Sequence, residues 1–220
     1  MASGATLSGG RPRSLSRFLT ALLLVAAALV AARFLLHYAA PYFRWDPAQF
    51  DYFWPHRFRL IFHISGGVVA LLCGTLQLWT GLRQKAMTFH RWTGRVYLLG
   101  VAAGIAGAFL MTLSTTPKSF GVALRGLAMA WLVTTAIAWA AIVRGRVALH
   151  KQWMVRSYLV TFAFVTFRVM TDNMPWLISR LGSSPDDASA NVTWLSWVVP
   201  LAVYEVILQG RRLLGPGMNS

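Results

Sequence analysis

The sequence predicts an all-α, polytopic membrane protein. Three observations carry that expectation: about six apolar stretches of spanning length, too few charges to solvate a globule, and basic residues gathered in short clusters between the apolar runs. Of 220 residues, 56% are hydrophobic and 12% charged, whereas a soluble domain carries about a quarter charged residues. The net charge of +15 would point to nucleic acid if the cations formed a stripe on a folded domain. Here they punctuate hydrophobic segments, which is the pattern of membrane topology, so no nucleic-acid partner is expected and the lipid bilayer is.

A spanning helix needs about 20 mostly apolar residues, and such runs fall near 18–36, 60–82, 93–113, 122–143, 155–175 and 192–209. The first follows a Ser/Gly/Arg-rich tail (1–17) and is longer than the apolar run of a typical signal peptide, so it reads as a retained helix. Residues 18–59 then comprise that helix and an outer loop. Residues 60–175 form a four-helix core, and 176–220 supply a further outer loop, the sixth helix and a short tail. Basic residues are retained on the cytoplasmic side of short loops. Arg11, Arg13 and Arg17, then Arg83, Lys85, Arg91 and Arg95, then Arg144, Arg146, Lys151 and Arg156, and finally Arg211 and Arg212 all share one side. Asp46, Asp51, Asp186 and Asp187 lie on the other. Both termini are therefore expected in the cytoplasm and the chain in the cytoplasmic (inner) membrane. Trp45, Trp54, Trp79, Trp92, Trp153 and Trp176 cluster near the span boundaries, where amphipathic rings favour headgroups.

The two basic loops share an order of residues. Arg83-Gln-Lys85 leads to His90-Arg91-Trp92-Thr-Gly-Arg95-Val-Tyr97-Leu98, and Arg144-Gly-Arg146 leads to His150-Lys151-Gln-Trp153-Met-Val-Arg156-Ser-Tyr158-Leu159. A period of about 60 residues is two helices with their loops, so spans two to five read as two parallel hairpin repeats. Convergent accumulation of Arg, Lys and Trp in cytoplasmic loops is the alternative.

Polar groups inside spans are costly and mark candidate sites. His63, Gly67, Ala70, Gly74, Gln77 and Gly81 recur at helical spacing on one face of the second span, a small-residue stripe suited to helix contact. His90, Gly94, Tyr97, Val101 and Gly104 form the matching stripe on the third, and His150, Met154, Ser157, Thr161 and Arg168 on the fifth. His63, Gln77, Arg125, Arg168 and Asp172 compose a candidate polar substrate pocket or transport path. An i,i+4 Arg168/Asp172 ion pair that merely neutralises charge is the simpler account. His90 and His150 are candidate haem iron ligands, the one metal role open to them, with Arg91, Arg95, Lys151 and Arg156 as propionate partners. Interaction of the same residues with lipid headgroups is the competing reading.

Cys73 is the single cysteine, which leaves no intrachain disulfide or cysteine-ligated cluster. No HExxH, GxSxG or phosphate-binding glycine loop occurs, so the chain does not read as an enzyme acting on soluble substrates.

The segments from His90 to Gly100 and from His150 to Arg168, with His63 upstream, resemble an uncharacterised family of bacterial multi-pass membrane proteins over residues 60–175. That resemblance implies an inner-membrane protein and no particular activity. The arrangement is also distantly similar to cytochrome b561, a four-helix core with paired histidines near both faces. That likeness implies haem b between His90 and His150, and a membrane redox partner. At the outer level Arg125 stands opposite His63, and His37 and His56 lie in the first outer loop, so it implies at most one haem. A haem-binding or redox-linked component, a small transporter, and a non-catalytic assembly or interaction protein, as a homo-oligomer or with a partner, all follow from these residues.

Overall fold

In hydrocarbon every backbone polar group must be satisfied within the chain, which leaves helices as the way for long apolar runs to cross. The computed structural model is helical throughout and describes residues 13–113, 118–173, 176, 179–180 and 184–214. The first twelve residues of the expected amino-terminal tail, the last six of the chain and part of the last outer loop lie outside the described residues.

Helix α1 (Arg13–Phe34) runs on through a π turn (Leu35–Ala39) and a 3-10 turn (Ala40–Arg44). A short α2 (Pro47–Phe50) and a 3-10 turn (Asp51–His56) lead into α3 (Arg57–Arg83). There follow α4 (Met87–Thr112), α5 (Lys118–Val143), α6 (Val147–Thr161), α7 (Ala163–Asn173) and α8 (Pro185–Leu214). Among the described residues, five stretches are long and apolar enough to cross a membrane: Val25–Arg44, Pro47–Arg83, Met87–Thr112, Ser119–Val143 and Pro185–Leu214. The remaining pass is made of α6 and α7, 15 and 11 residues long. They are interrupted only at Phe162, whose N–H still donates to the Tyr158 carbonyl at 2.8 Å.

Several expected boundaries move, the sixth span beginning at Pro185 instead of 192. The third span begins at Met87 instead of 93, and the fifth pass at Val147 instead of 155. The cytoplasmic-type loops therefore shrink to residues 84–86 and 144–146, and His90 and His150 stand in first helical turns. Long basic side chains reach water from a helix end by extending along it, so a cluster of Arg, Lys and Trp does not require a loop. Both turns lie at one end of the bundle, called here the turn end.

Apolar side chains such as Leu36, Leu99, Val143 and Val206 point outward, as lipid-facing positions do. Inside, α3 and α4 approach until backbones touch. An ideal Cβ at Gly107 would lie 2.7 Å from His63 Cα, and one at Gly100 2.9 Å from Ala70 N. Small residues permit that approach in a membrane, where dispersion drives helix association. Tyr97, Val101, Leu127, Trp131, Val160 and Ala163 build the core between α4, α5 and the α6/α7 pass. Helix α8 lies along α5 and α7, and α1 touches α3 and α7.

The first outer loop is folded over the end opposite the turns. Phe50 is 1% exposed and meets Tyr42, Trp45 and Trp54 edge to face, with centroids 5.3, 5.7 and 5.5 Å away. Trp45 and Asp51 take positive φ of 60° and 45° to make the reversals, conformations that cost a non-glycine residue energy.

Candidate functional site

At the turn end the two short loops set the histidines in the same register. The His90 N–H bonds to the Ala86 carbonyl and the His150 N–H to the Arg146 carbonyl, each at 2.9 Å. The His150 Nδ1 lies 2.8 Å from the Ala138 carbonyl. A carbonyl only accepts, so Nδ1 carries the proton and a neutral ring keeps its lone pair on Nε2. The His90 Nδ1 lies 2.8 Å from Thr80 Oγ1. Thr80 donates its one hydroxyl proton to the Leu76 carbonyl at 2.7 Å, so its oxygen accepts from the His90 Nδ1–H. This assignment follows from the hydrogen-bond network.

Gln77 braces this arrangement. It is 5% exposed, and its Nε2 donates to the His90 carbonyl and to Thr93 Oγ1, both at 2.5 Å. The start of α4 is thereby tied to α3. An ideal Cβ at Gly81 would stand 3.3 Å from His90 Cε1, so Gly81 gives the ring its place against α3.

The basic residues of this end differ in environment. Arg91, Arg95 and Lys151 are exposed, with the Arg95 guanidinium over the Trp92 ring at 4.8 Å. Arg156 is drawn inward. Its Nε donates to Glu205 Oε1 of α8 at 2.6 Å, its guanidinium lies over Trp153 and Tyr204 at 4.7 and 5.1 Å, and its Nη1 is buried without a hydrogen-bond partner among the described residues. The pair joins residues 49 apart, and no local pattern announces it.

The opposite end holds a cavity of about 680 Å³. Its walls come from α3, α4, α5, α7 and α8 and from the folded loop, with His63, Phe164, Phe167, Arg168, Trp131 and Tyr38 among them. His63 Nδ1 lies 2.7 Å from the Gly104 carbonyl, a bond that depends on the glycine contact between α3 and α4. By the same reasoning as for His150, the His63 lone pair is left on Nε2. The Phe164 ring stands edge-on between His63 and Trp131, at 5.4 and 5.5 Å. The Arg168 guanidinium lies over Tyr38 at 5.2 Å and Phe167 at 5.9 Å.

Of the five residues expected in a polar pocket, His63 and Arg168 meet at this cavity. Gln77 lies at the turn end, and neither Arg125 nor Asp172 lines the cavity; both are exposed. Among the described residues Arg168 and Asp172 form no ion pair, and the Asp172 carboxylate accepts from the Thr171 hydroxyl at 3.2 Å. The surroundings are aromatic instead of polar.

Between the two ends runs a buried hydroxyl cluster. The Tyr97 hydroxyl lies 2.6 Å from Ser157 Oγ and 3.0 Å from Thr161 Oγ1, Thr135 Oγ1 lies 2.6 Å from Ser157 Oγ, and Trp131 Nε1 donates to Thr161 Oγ1 at 2.9 Å. Tyr97, Ser157 and Thr161 are on the stripes seen in the sequence, whereas Trp131 and Thr135 of α5 carried no such signal.

The profile of a family described as predicted membrane proteins (DUF2306) matches residues 60–208. No curated protein and no solved structure matches the chain.

Proposed function

The chain belongs to the DUF2306 family of predicted membrane proteins, a membership that names no activity, and from its own residues we propose a haem-binding, redox-linked component of the cytoplasmic membrane. His90 and His150 are the iron ligands in this reading. The observation that supports it is the paired register of two imidazoles whose Nδ1–H groups are each held by an acceptor on the preceding helix, Thr80 Oγ1 and the Ala138 carbonyl. Hydrogen bonding of the remote ring nitrogen fixes tautomer and orientation and raises the basicity of the ligating nitrogen, which is how metal-bound histidines are commonly supported. Haem b, when bound, would supply one-electron chemistry at the iron.

The rest of the end fits such a group. Arg156 Nη1 is a buried donor without a partner among the described residues, matched to a propionate oxygen, and Arg91, Arg95 and Lys151 supply cations at the same face. Gln77 and Thr93 hold the backbone at His90, so the ring's position is set before any ligand arrives. The concentration of Arg and Lys at the turn end supports a cytoplasmic location for it and for both termini.

The test is a visible spectrum of detergent-purified protein, oxidised and then dithionite-reduced, from cells supplied with a haem precursor. Sharp Soret and α bands on reduction, lost in His90→Ala and in His150→Ala, are expected. A featureless spectrum from folded protein overturns the reading.

A further inference from the structure

The cavity opposite the turns has its own chemistry, and it differs from the polar path its two ionisable residues first indicated. Its volume of about 680 Å³ is that of a site for a small organic molecule. Tyrosines aside, His63 and Arg168 are the ionisable groups among the described residues that line it. They offer opposite halves of a hydrogen-bonding pair. His63, its Nδ1 proton committed to the Gly104 carbonyl, presents a lone pair that seeks a donor. Arg168 presents N–H donors that seek an oxygen, and it lies against the faces of Tyr38 and Phe167. The lining hydroxyls of Thr112, Thr193 and Ser196 donate to their own helices, to the carbonyls of Phe109, Ser189 and Thr193 at 2.9, 2.8 and 2.7 Å.

A ligand for this chamber therefore needs an O–H for His63, an oxygen for Arg168, a flat body for the aromatic walls, and an apolar tail for the lipid from which it enters. A fatty acid supplies an anion for Arg168 but sets a carboxylate against the His63 lone pair. A fully esterified lipid supplies acceptors and no donor. A hydroquinone bearing an apolar tail supplies all four. We propose that this chamber binds a hydroquinone-type lipid, His63 Nε2 accepting from one hydroxyl and Arg168 donating to the other oxygen. The assignment stands apart from the haem reading, since it rests on a different set of residues and its test reads binding alone.

Gly67 makes the test sharp. It lines the cavity, and a Cβ there would meet nothing within 4 Å among the described residues, so a larger side chain starts from open space at the chamber wall, and leucine suits the helix better than glycine. Anaerobic calorimetric titration of the full-length detergent-solubilised protein with a decyl-tailed benzohydroquinone should show saturable binding. Gly67→Leu should weaken it at least tenfold with thermal stability kept. His63→Ala and Arg168→Gln should each weaken it about tenfold. Failure of the folded protein to bind the hydroquinone overturns the proposal, as does binding that Gly67→Leu leaves intact. Decanoate binding as tightly as the hydroquinone, or displacing it one for one, overturns the headgroup assignment and makes the chamber a fatty-acid site.

Discussion

Thr80 has one hydroxyl proton and directs it to Leu76, so the state of the His90 ring is decided by a residue on another helix. Thr80→Val keeps the shape and removes the acceptor. On the haem reading, haem retention should fall about 10- to 100-fold, the usual effect of losing an outer partner of a ligand, while melting temperature changes little. A haem-transfer assay to apomyoglobin measures the first and calorimetry the second. Depth along a helix is what the sequence stripe failed to convey. His63 and Gln77 share a face of α3, as their spacing indicates, yet fourteen residues at 1.5 Å each separate them by about 21 Å. One belongs to the chamber and the other to the turn end. Arg156 and Glu205 were illegible for a different reason: pairing between α6 and α8 is decided by tertiary packing, and nothing in either local sequence encodes it.

Among elements, the α3–α4 contact sets the geometry of the chamber. Gly107→Leu places a side chain where His63 Cα stands, so the helices must part and the His63 bond to the Gly104 carbonyl lengthen. A loss of about 3 kcal/mol or more is expected, at the upper end of what overpacking costs, and a thermal melt in detergent reads it. Gly67, on α3 and with open space where a Cβ would stand, should tolerate the same change, so the pair of variants separates seam from chamber. The α6–α8 contact has an ionic counterpart. Glu205→Gln leaves Arg156, 11% exposed, without its carboxylate, and because Glu205 is itself 39% exposed the cost should be about 1–2 kcal/mol, well below that of a fully buried pair. The double variant Arg156→Met, Glu205→Leu should recover most of it. Hydropathy made the helices legible, but the starts of α4 and α6 were not. His, Arg and Trp at an interface read as loop when the same residues, with long or amphipathic side chains, serve equally well in a first helical turn.

For the whole molecule, six passes bring the start of α1, the two short turns and the end of α8 to one side. Most of the basic residues go with them, so single-cysteine variants in a Cys73→Ala background report orientation directly. Lys85→Cys and Arg144→Cys should react with a membrane-impermeant maleimide in inverted vesicles and remain protected in intact spheroplasts. Ser184→Cys should do the reverse.

The family match begins at residue 60, whereas Phe34, Tyr38, Tyr42, Tyr52 and Phe53, which close the chamber, come before it. The matched stretch supplies most of the chamber's walls, and the aromatic cover centred on Phe50 lies outside it. Grafting residues 34–56 onto a relative's helices should transfer this protein's choice of guest along with them, which would make the cover a portable selectivity module.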